Sequence, residues 1–232
     1  MNHTSDLTRI SAEYQRRARE IPADFYSWSR PANLLMHQQT ARGCIRMLER
    51  ASLFPLRGRS MADIGCGEGA WLLEFMQWGA EPASLCGIDL IPERIKNAQL
   101  RIPQADLRTG SASELPWADE SFDVVSQFTV FTSILDSALK QAVAAEMIRV
   151  LKPDGAVLWF DFRVSNPRNP QVRGLPAAEI RSLFPGCRIE LAPLLLAPPL
   201  ARSIAGWSWP LAEALQGFRF LCTHYVGLIR KR

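Results

Sequence analysis

A glycine-rich segment with acidic residues on either side carries the first chemical signal in this sequence. Gly65, Gly67 and Gly69 alternate after Asp63, behind a short apolar run and ahead of a stretch with helical spacing. Glycines permit a tight turn and let a ligand approach the backbone, and the N–H groups at a helix start suit a carboxylate or phosphate. Asp89 lies about 20 residues further on, where a carboxylate can accept both hydroxyls of a ribose. This pattern predicts a nucleotide-like cofactor.

Two other glycine patterns do not fit this segment. Ala70 and Trp71 follow Gly69, so the spacing differs from Gly-x-Gly-x-x-Gly, and no Gly-Lys-Ser or Gly-Lys-Thr follows the glycines. The segment is therefore not a phosphate loop, and its spacing disfavours a nicotinamide-dependent oxidoreductase.

The surrounding chain alternates between short apolar runs and helical patterns. Helices are predicted over 8–20, 32–52, 69–79 and 137–151. Strands are predicted at Met61–Ile64, Ser84–Asp89, Asp106–Arg108, Phe122–Gln127 and Ala156–Phe162. This alternation implies an α/β fold with a mainly parallel sheet that helices cover on both faces. Because such sheets bind ligands at the carboxyl ends of their strands, the glycine segment and Asp89 are expected at that edge.

Five motifs in sequence order resemble class I S-adenosylmethionine-dependent methyltransferases over about residues 56–163. They are the glycine segment 61–72, Gly87-Ile88-Asp89, Gly110-Ser111-Ala112, the run Leu115–Val125 and the turn Arg149–Gly155. Together they form a strong signal, although each alone is weak. The likeness is greatest to the small-molecule subgroup that includes the ubiquinone and menaquinone biosynthesis methyltransferases.

The resemblance implies a Rossmann-like fold with seven strands, the last antiparallel between strands five and six. It also implies S-adenosylmethionine as cofactor and S-adenosylhomocysteine as product. The implied cofactor-binding residues are Asp63, Gly65, Cys66, Gly67 and Gly69 at the methionine end, Asp89 at the ribose, Leu90, Ser111 and Ala112 at the adenine, and Gln127 and Phe128 near the methyl. The family often has Asp where this chain has Ser111, so that adenine contact would lack a charge.

The domain organisation is predicted from the same pattern. Residues 1–232 should form a single domain, with an N-terminal helical lid over about 1–55. Strand six is predicted at Cys187–Leu191 and strand seven at Phe218–Arg230, and the segment between them is too long for a hairpin loop. We expect a helical insertion over about 194–216 that roofs an acceptor pocket. The alternative is an exposed apolar face for a homodimer or membrane contact.

Residues for the acceptor are harder to choose, since methyl transfer needs chiefly in-line positioning. Asp161, His37 and His224 are alternative general bases, although a lone histidine is more often structural. Arginines suit carboxylates and phosphates. The candidates for acceptor binding are Tyr26, Trp28 and Arg30 in an aromatic linker, Arg163, Asn166, Arg168, Asn169 and Arg173 after strand five, and Arg202 in the insertion. Each group could instead be a packed linker or a solvated loop.

Composition and charge narrow the function classes. The net charge of +4 is uneven, with +7 from residue 163 onward, which suggests either an anionic partner or a solvated basic face. Five widely spaced cysteines predict no metal and a cytoplasmic setting, and no transmembrane run or nucleic-acid motif appears. We predict O-methylation of an anionic or polyhydroxylated small molecule. The alternatives are N- or C-methylation, an RNA or protein substrate, and a cofactor-binding protein without turnover.

Overall fold

The computed structural model of the chain describes residues 3–22, 24–166 and 169–232. Its strands are β1 (Met61–Ile64), β2 (Leu85–Asp89), β3 (Asp106–Thr109), β4 (Phe122–Phe128), β5 (Leu151–Phe162), β6 (Arg188–Leu196) and β7 (Cys222–Arg230). Its helices are α1 (His3–Glu20), α2 (Pro31–Arg50), α3 (Ala70–Gln77), α4 (Pro92–Arg101), α5 (Ser137–Val150), α6 (Ala177–Leu183), α7 (Pro198–Ile204) and α8 (Trp209–Gln216). Short 3-10 turns lie at Pro82–Ser84, Phe131–Ser133 and Arg219–Leu221.

The seven strands form one sheet in the order β3-β2-β1-β4-β5-β7-β6. Strands β1 to β5 pair in parallel, while β7 runs antiparallel to both β5 and β6. The predicted Rossmann-like fold is therefore confirmed. The boundaries differ at the edge: β6 continues to Leu196, and β7 begins at Cys222 because the 3-10 turn Arg219–Leu221 precedes it.

Two hydrophobic layers cover the two faces of the sheet. One layer joins α2, α3 and α4 to the sheet and includes the fully buried Met61, Phe75 and Leu158. The other joins α5 and α6 to the opposite face through residues such as Met147 and Trp159. Burial of each large apolar side chain contributes about 1.5–3 kcal/mol, so these layers hold the strand ends in place.

A third, smaller cluster fixes α7 and α8. It joins Leu35 of α2 and Leu196 of β6 to Ala201 of α7, to Ala205 directly after α7 and to Ala212 of α8. The small side chains let the helices lie close to α2. The insertion between β6 and β7 thus packs beside the N-terminal half of α2.

Helix α1 is fastened across the carboxyl edge of the sheet by a buried carboxylate. Asp6 accepts hydrogen bonds from the backbone N–H groups of Leu135 (2.9 Å) and Asp136 (3.0 Å). Arg9 binds Asp6 and also donates to the carbonyl of Ser133. These contacts hold the pKa of Asp6 below its usual range despite burial, which by itself raises it. Within the described ranges, no helix has the length and apolarity that a membrane span requires.

Candidate functional site

A cleft with about 640 Å³ of empty space, its open mouth included, lies at the carboxyl ends of β1 to β4. Six residues predicted to bind the cofactor line it: Gly65, Asp89, Leu90, Ser111, Ala112 and Phe128. Leu7, Ile10 and Tyr14 of α1 close the opposite side. The sequence motifs did not identify these three, because their contribution depends on where α1 crosses the sheet.

The glycine loop forms the base of the cleft. Gly65, Gly67 and Gly69 have φ angles of 70°, 55° and 78°, which only glycine adopts without strain. A Cβ on Gly65 would lie 2.5 Å from Val130 Cγ2, so this position also needs glycine for space. The N–H groups of Gly65 and Cys66 donate to the carbonyl of Ile88. The loop is thus held against β2.

Asp89 is oriented by the backbone on both sides of its carboxylate. Its Oδ2 accepts from the Gly67 N–H at 3.0 Å and its Oδ1 from the Ile91 N–H at 2.9 Å. A carboxylate offers about four lone-pair sites, so each oxygen keeps capacity for a second donor. Because Asp89 lines the cleft, that capacity fits the two hydroxyls of a ribose.

Asp63 lies behind the glycine loop and does not line the cleft. It is buried and accepts a hydrogen bond from Ser126 Oγ at 2.7 Å. Burial, assisted by the nearby charge of Asp89, raises the pKa of Asp63 to about 7 against the opposing effect of Ser126. A cation bound at the loop would favour the ionised form of this carboxyl. The arrangement therefore suits the ammonium and sulfonium charges of S-adenosylmethionine.

Three other residues predicted at the methionine end do not line the cleft. Cys66 is buried. A Cβ on Gly87 would lie 2.8 Å from Cys66 Sγ, so the Cys66 thiol fills the space under the loop. Gly67 contributes its N–H to Asp89, and Gly69 precedes α3. These residues shape the loop and do not form a wall of the cleft.

Gln127 requires a correction. Its side chain is fully buried and binds only backbone groups, with Nε2 donating to the Phe160 carbonyl at 3.3 Å and Oε1 accepting from the Val130 N–H at 3.0 Å. The amide therefore fixes the turn after β4 and is absent from the cleft lining. The next residue, Phe128, faces the cleft because side chains alternate along a strand.

Beside the cleft, four rings form what we call the aromatic stack: Trp28, His37, Trp71 and Phe128. Trp71 and Phe128 are nearly parallel, with centroids 3.9 Å apart and planes at 8°. His37 lies 5.5 Å from Trp71, and Trp28 lies 4.6 Å from His37. The stack leads from the exposed linker to Phe128, which also lines the cleft.

His37 is paired with a carboxylate in this stack. Its Nε2 lies 3.2 Å from Glu74 Oε2, and both side chains are about one-fifth exposed. A carboxylate bound to one ring nitrogen orients the imidazole and leaves the other nitrogen for a substrate proton. The sequence did not identify Glu74 or Trp71. The available signal was that Glu74 is the one charged residue of α3 and lies one turn after Trp71.

The other two candidate bases have different surroundings. Asp161 is fully buried, and its carboxylate accepts from the Thr132 hydroxyl and from the N–H groups of Thr132 and Phe162. Burial raises its pKa to about 7, opposed by these bonds. His224 stacks 4.8 Å from Phe160, and burial lowers its pKa to about 3. Neither lines the cleft, so Asp161 holds the 3-10 turn Phe131–Ser133 and His224 is a neutral ring in the core.

The candidates in the linker and the insertion meet around Phe25. Tyr26 makes an edge contact with that ring at 4.9 Å, and the guanidinium groups of Arg30 and Arg202 lie 5.7 and 4.8 Å from its centroid. Arg30 also pairs with Asp24. The linker and α7 are thus joined by cation–π contacts, with Trp28 alone extending to the aromatic stack.

The expected arginine clamp after β5 does not form among the described residues. Arg163 donates to the Arg219 carbonyl and lies over Tyr225, whereas Arg173 pairs with Glu179. Asn169 accepts from the Gln171 N–H, and Asn166 lies in the same exposed loop. Arg168 lies outside the described residues. These side chains are engaged at separate places and do not converge on one anion.

Gln39 of α2 is buried to 1% exposure, and its amide nitrogen and oxygen have no hydrogen-bond partner among the described residues. Leu35 and Gly43, one turn away on either side, pack in the small cluster with α7 and against Leu194. Gln39 therefore faces the corner between α2, β6 and α7. An unpartnered buried amide costs about 1–3 kcal/mol.

The fold and the cleft together define the class of protein. The sheet order, the left-handed glycines, the oriented Asp89 and the buried Asp63 fit the amino acid, ribose and adenine parts of S-adenosylmethionine. No cluster of His, Cys, Asp or Glu that could hold a metal ion occurs in the described part of the chain. These features are those of a class I S-adenosylmethionine-dependent methyltransferase.

Comparisons with known proteins agree with this class. Residues 62–159 match a family profile described as a methyltransferase domain. Phthiotriol/phenolphthiotriol dimycocerosates methyltransferase 1 of Mycobacterium ulcerans is 33% identical over 151 residues, 61% of this chain and 52% of that protein. A Mycolicibacterium smegmatis protein named "Probable S-adenosylmethionine-dependent methyltransferase" is 31% identical over 147 residues, 58% of this chain and 53% of that protein. This chain spans about half the length of both relatives.

A solved structure extends the likeness to the whole fold. The TehB-like SAM-dependent methyltransferase of Corynebacterium glutamicum superposes with a TM-score of 0.56 and 17% identity, covering 99% of this chain and 100% of that one. At this identity the likeness concerns the fold alone. Over residues 62–159 the chain is similar to the methyltransferase domain family, and these comparisons support a class I S-adenosylmethionine-dependent methyltransferase. The family's cofactor is the predicted S-adenosylmethionine.

Proposed function

We propose that this chain methylates a hydroxyl group of a small, largely apolar molecule, with S-adenosylmethionine as the donor. The observation that carries the proposal is the placement of Phe128. This ring lines the cofactor cleft and stacks on Trp71, which in turn contacts the paired His37. One continuous surface thus connects the donor site to a candidate base.

The residues of the cleft have distinct tasks in this proposal. Asp89 would accept the ribose hydroxyls, Ser111 and Ala112 would meet the adenine edge, and the glycine loop would hold the amino acid end. S-adenosylmethionine, when bound, supplies a methyl group that its sulfonium has already activated. Because the donor is activated, the protein needs chiefly to position the acceptor and exclude water, which can lower the barrier by about 7–11 kcal/mol.

A hydroxyl acceptor must also lose its proton. His37 would take that proton on the ring nitrogen that does not face Glu74, and Glu74 would stabilise the resulting imidazolium. This supports oxygen as the methylated atom. The rings of Trp28, Trp71 and Phe128 would bind a flat or apolar skeleton.

The partners of the arginines indicate which charge the acceptor carries. Arg163 and Arg173 are engaged with protein groups, which argues against the anionic acceptor and favours the hydroxylated alternative. The Mycobacterium ulcerans relative is named for phthiotriol and phenolphthiotriol dimycocerosates, and by analogy we propose a hydroxyl-bearing lipid or phenol. The ubiquinone-like subgroup, a cytoplasmic location and a homodimer stay predictions.

Two measurements test the proposal. Calorimetric titration should show binding of S-adenosylhomocysteine and none of a nicotinamide dinucleotide; the reverse result would overturn the cofactor assignment. Transfer of a labelled methyl group should then be compared for naphthol, naphthylamine and naphthalene, which share one apolar skeleton. We expect transfer to naphthol. Transfer to naphthylamine alone would point to nitrogen. Transfer only to RNA or protein would indicate a macromolecular substrate. Cofactor binding with no transfer to any of these substrates would indicate a cofactor-binding protein without turnover.

A further inference from the structure

Exposed apolar side chains are concentrated around one part of the molecule. Among the described residues, eight large hydrophobic side chains are exposed, and six of them lie in the linker or in the segment 207–220. We call these six the apolar rim: Tyr26, Trp28, Trp207, Leu211, Phe218 and Phe220. Trp207 is 72% exposed and Phe220 78% exposed. Such concentration exceeds the scattered apolar exposure that is normal for a protein surface.

The rim residues of the insertion lie on α8 and on the turns that flank it. Leu211 is on α8, Trp207 precedes the helix and Phe218 follows it, while Ala212 of α8 is buried against the small cluster. The rings of Phe218 and Phe220 lie 5.9 Å apart. Arg202 lies over Phe25, next to Tyr26, and so joins the insertion to the linker. The rim is therefore a connected feature.

Positive charge exceeds negative charge around the rim, where Asp24 of the linker is paired with Arg30. Arg202 and Arg219 are exposed in the insertion, and its one acidic residue, Glu213, is paired with Arg42. The whole segment from residue 163 onward carries a charge of +7. Aromatic side chains beside exposed arginines are typical of proteins that lie at a bilayer surface, where the rings enter the headgroup region and the cations bind anionic lipids.

We propose that the apolar rim docks this protein on the surface of an anionic lipid bilayer, without crossing it. Trp28 belongs both to the rim and to the aromatic stack, so docking would place the outer end of the stack at the lipid surface. An acceptor dissolved in lipid could then reach the stack without passing through water. The docking itself requires no methyl transfer, so it stands or falls independently of the proposed reaction.

Co-sedimentation with vesicles tests the proposal directly. Vesicles of phosphatidylcholine alone should be compared with vesicles of phosphatidylcholine and phosphatidylglycerol in equal parts. We expect the chain to sediment with the mixed vesicles and to be released as salt is raised, because salt screens the arginines. Absence of binding to the mixed vesicles would overturn the proposal.

The double variant Trp207→Ser/Phe220→Ser tests the location. Each aromatic side chain withdrawn from the headgroup region should weaken partitioning roughly tenfold. The matched control is Leu100→Ser on α4, at the β3 end of the sheet, where the side chain is 77% exposed and vesicle binding should not change. Unchanged thermal unfolding and S-adenosylhomocysteine affinity would show that the double variant is folded.

Two results would contradict the rim as a lipid surface. One is equal loss of vesicle binding in the Leu100→Ser control. The other is a dimer in sedimentation velocity that the double variant dissociates and that vesicles do not compete with, since the rim would then be covered by a second copy of the chain.

Discussion

The donor cleft and the aromatic stack adjoin at Phe128 but are built in different ways. The strand-end wall of the cleft includes Gly65, Asp89 and Ser111, which lie at or just after the ends of β1, β2 and β3. The stack joins rings from the linker, α2, α3 and β4, which are up to a hundred residues apart. The first is a local consequence of each strand-to-helix turn, and the second exists only after the helices pack.

Because of this difference, the two regions tolerate substitution to different degrees. Substitutions in the glycine loop strain a left-handed backbone, so the donor cleft can change little and still hold its ligand. Three of the four stack rings, His37, Trp71 and Phe128, lie on ordinary helix or strand backbone, so these side chains can change without such strain. We therefore expect the fold to tolerate substitutions in the stack better than substitutions in the glycine loop.

The largest effect is expected in the donor cleft, from Asp89→Ala. The substitution removes the ribose acceptor and also leaves the N–H groups of Gly67 and Ile91 without their carboxylate. Affinity for S-adenosylhomocysteine should fall roughly a hundredfold, about 3 kcal/mol. Calorimetry measures this, with the exposed Asp154→Ala as control. An affinity within a factor of about two of the unmodified protein would contradict the ribose assignment.

The matching test in the stack is Glu74→Gln. Loss of the carboxylate that orients His37 should slow methyl transfer to naphthol roughly ten- to hundredfold. Affinity for S-adenosylhomocysteine should stay constant, because Glu74 does not line the cleft. The exposed Glu81→Gln is the control. A variant that loses cofactor affinity together with activity would show that the two regions are not separable.

A smaller effect concerns the pH dependence of stability through Asp63. Its pKa is raised in the folded state to about 7. The contribution of Asp63 to the free energy of unfolding is therefore complete at pH values below its pKa in the unfolded chain, and it is lost as pH rises through about 7. Asp63→Asn should remove that loss, on the order of 1 kcal/mol or more between about pH 4 and about pH 8. Urea unfolding of both proteins at several pH values measures it. Parallel curves would mean that the folded pKa is not raised.

The smallest expected effect is a gain in stability from Gln39→Leu. The change removes a buried amide without partners, and the free energy of unfolding should rise by roughly 1 kcal/mol. The neighbouring, exposed Gln38→Leu is the control and should change little. Thermal and urea unfolding measure both. An unchanged or lower free energy of unfolding would contradict an unpartnered amide at Gln39.

Much of the donor side could be predicted from the sequence. The three glycines, Asp89 and Gly110-Ser111-Ala112 lie at strand ends, so their positions follow from the strand order that alternation of strands and helices already implies. Gln127 was misplaced because motif position alone cannot tell on which side of β4 the side chain lies or that backbone groups bind it.

The proposed acceptor side depends on tertiary structure. Glu74 became a partner of His37 only because α2 packs beside α3. On the donor side, Tyr14 likewise reached the cleft only because Asp6 fastens α1 over the sheet edge. The arginines after β5 looked like a clamp in sequence, yet Arg163 and Arg173 bind separate protein groups. Local backbone preference fixed the glycine loop, whereas long-range packing fixed the aromatic stack and the α1 side of the cleft.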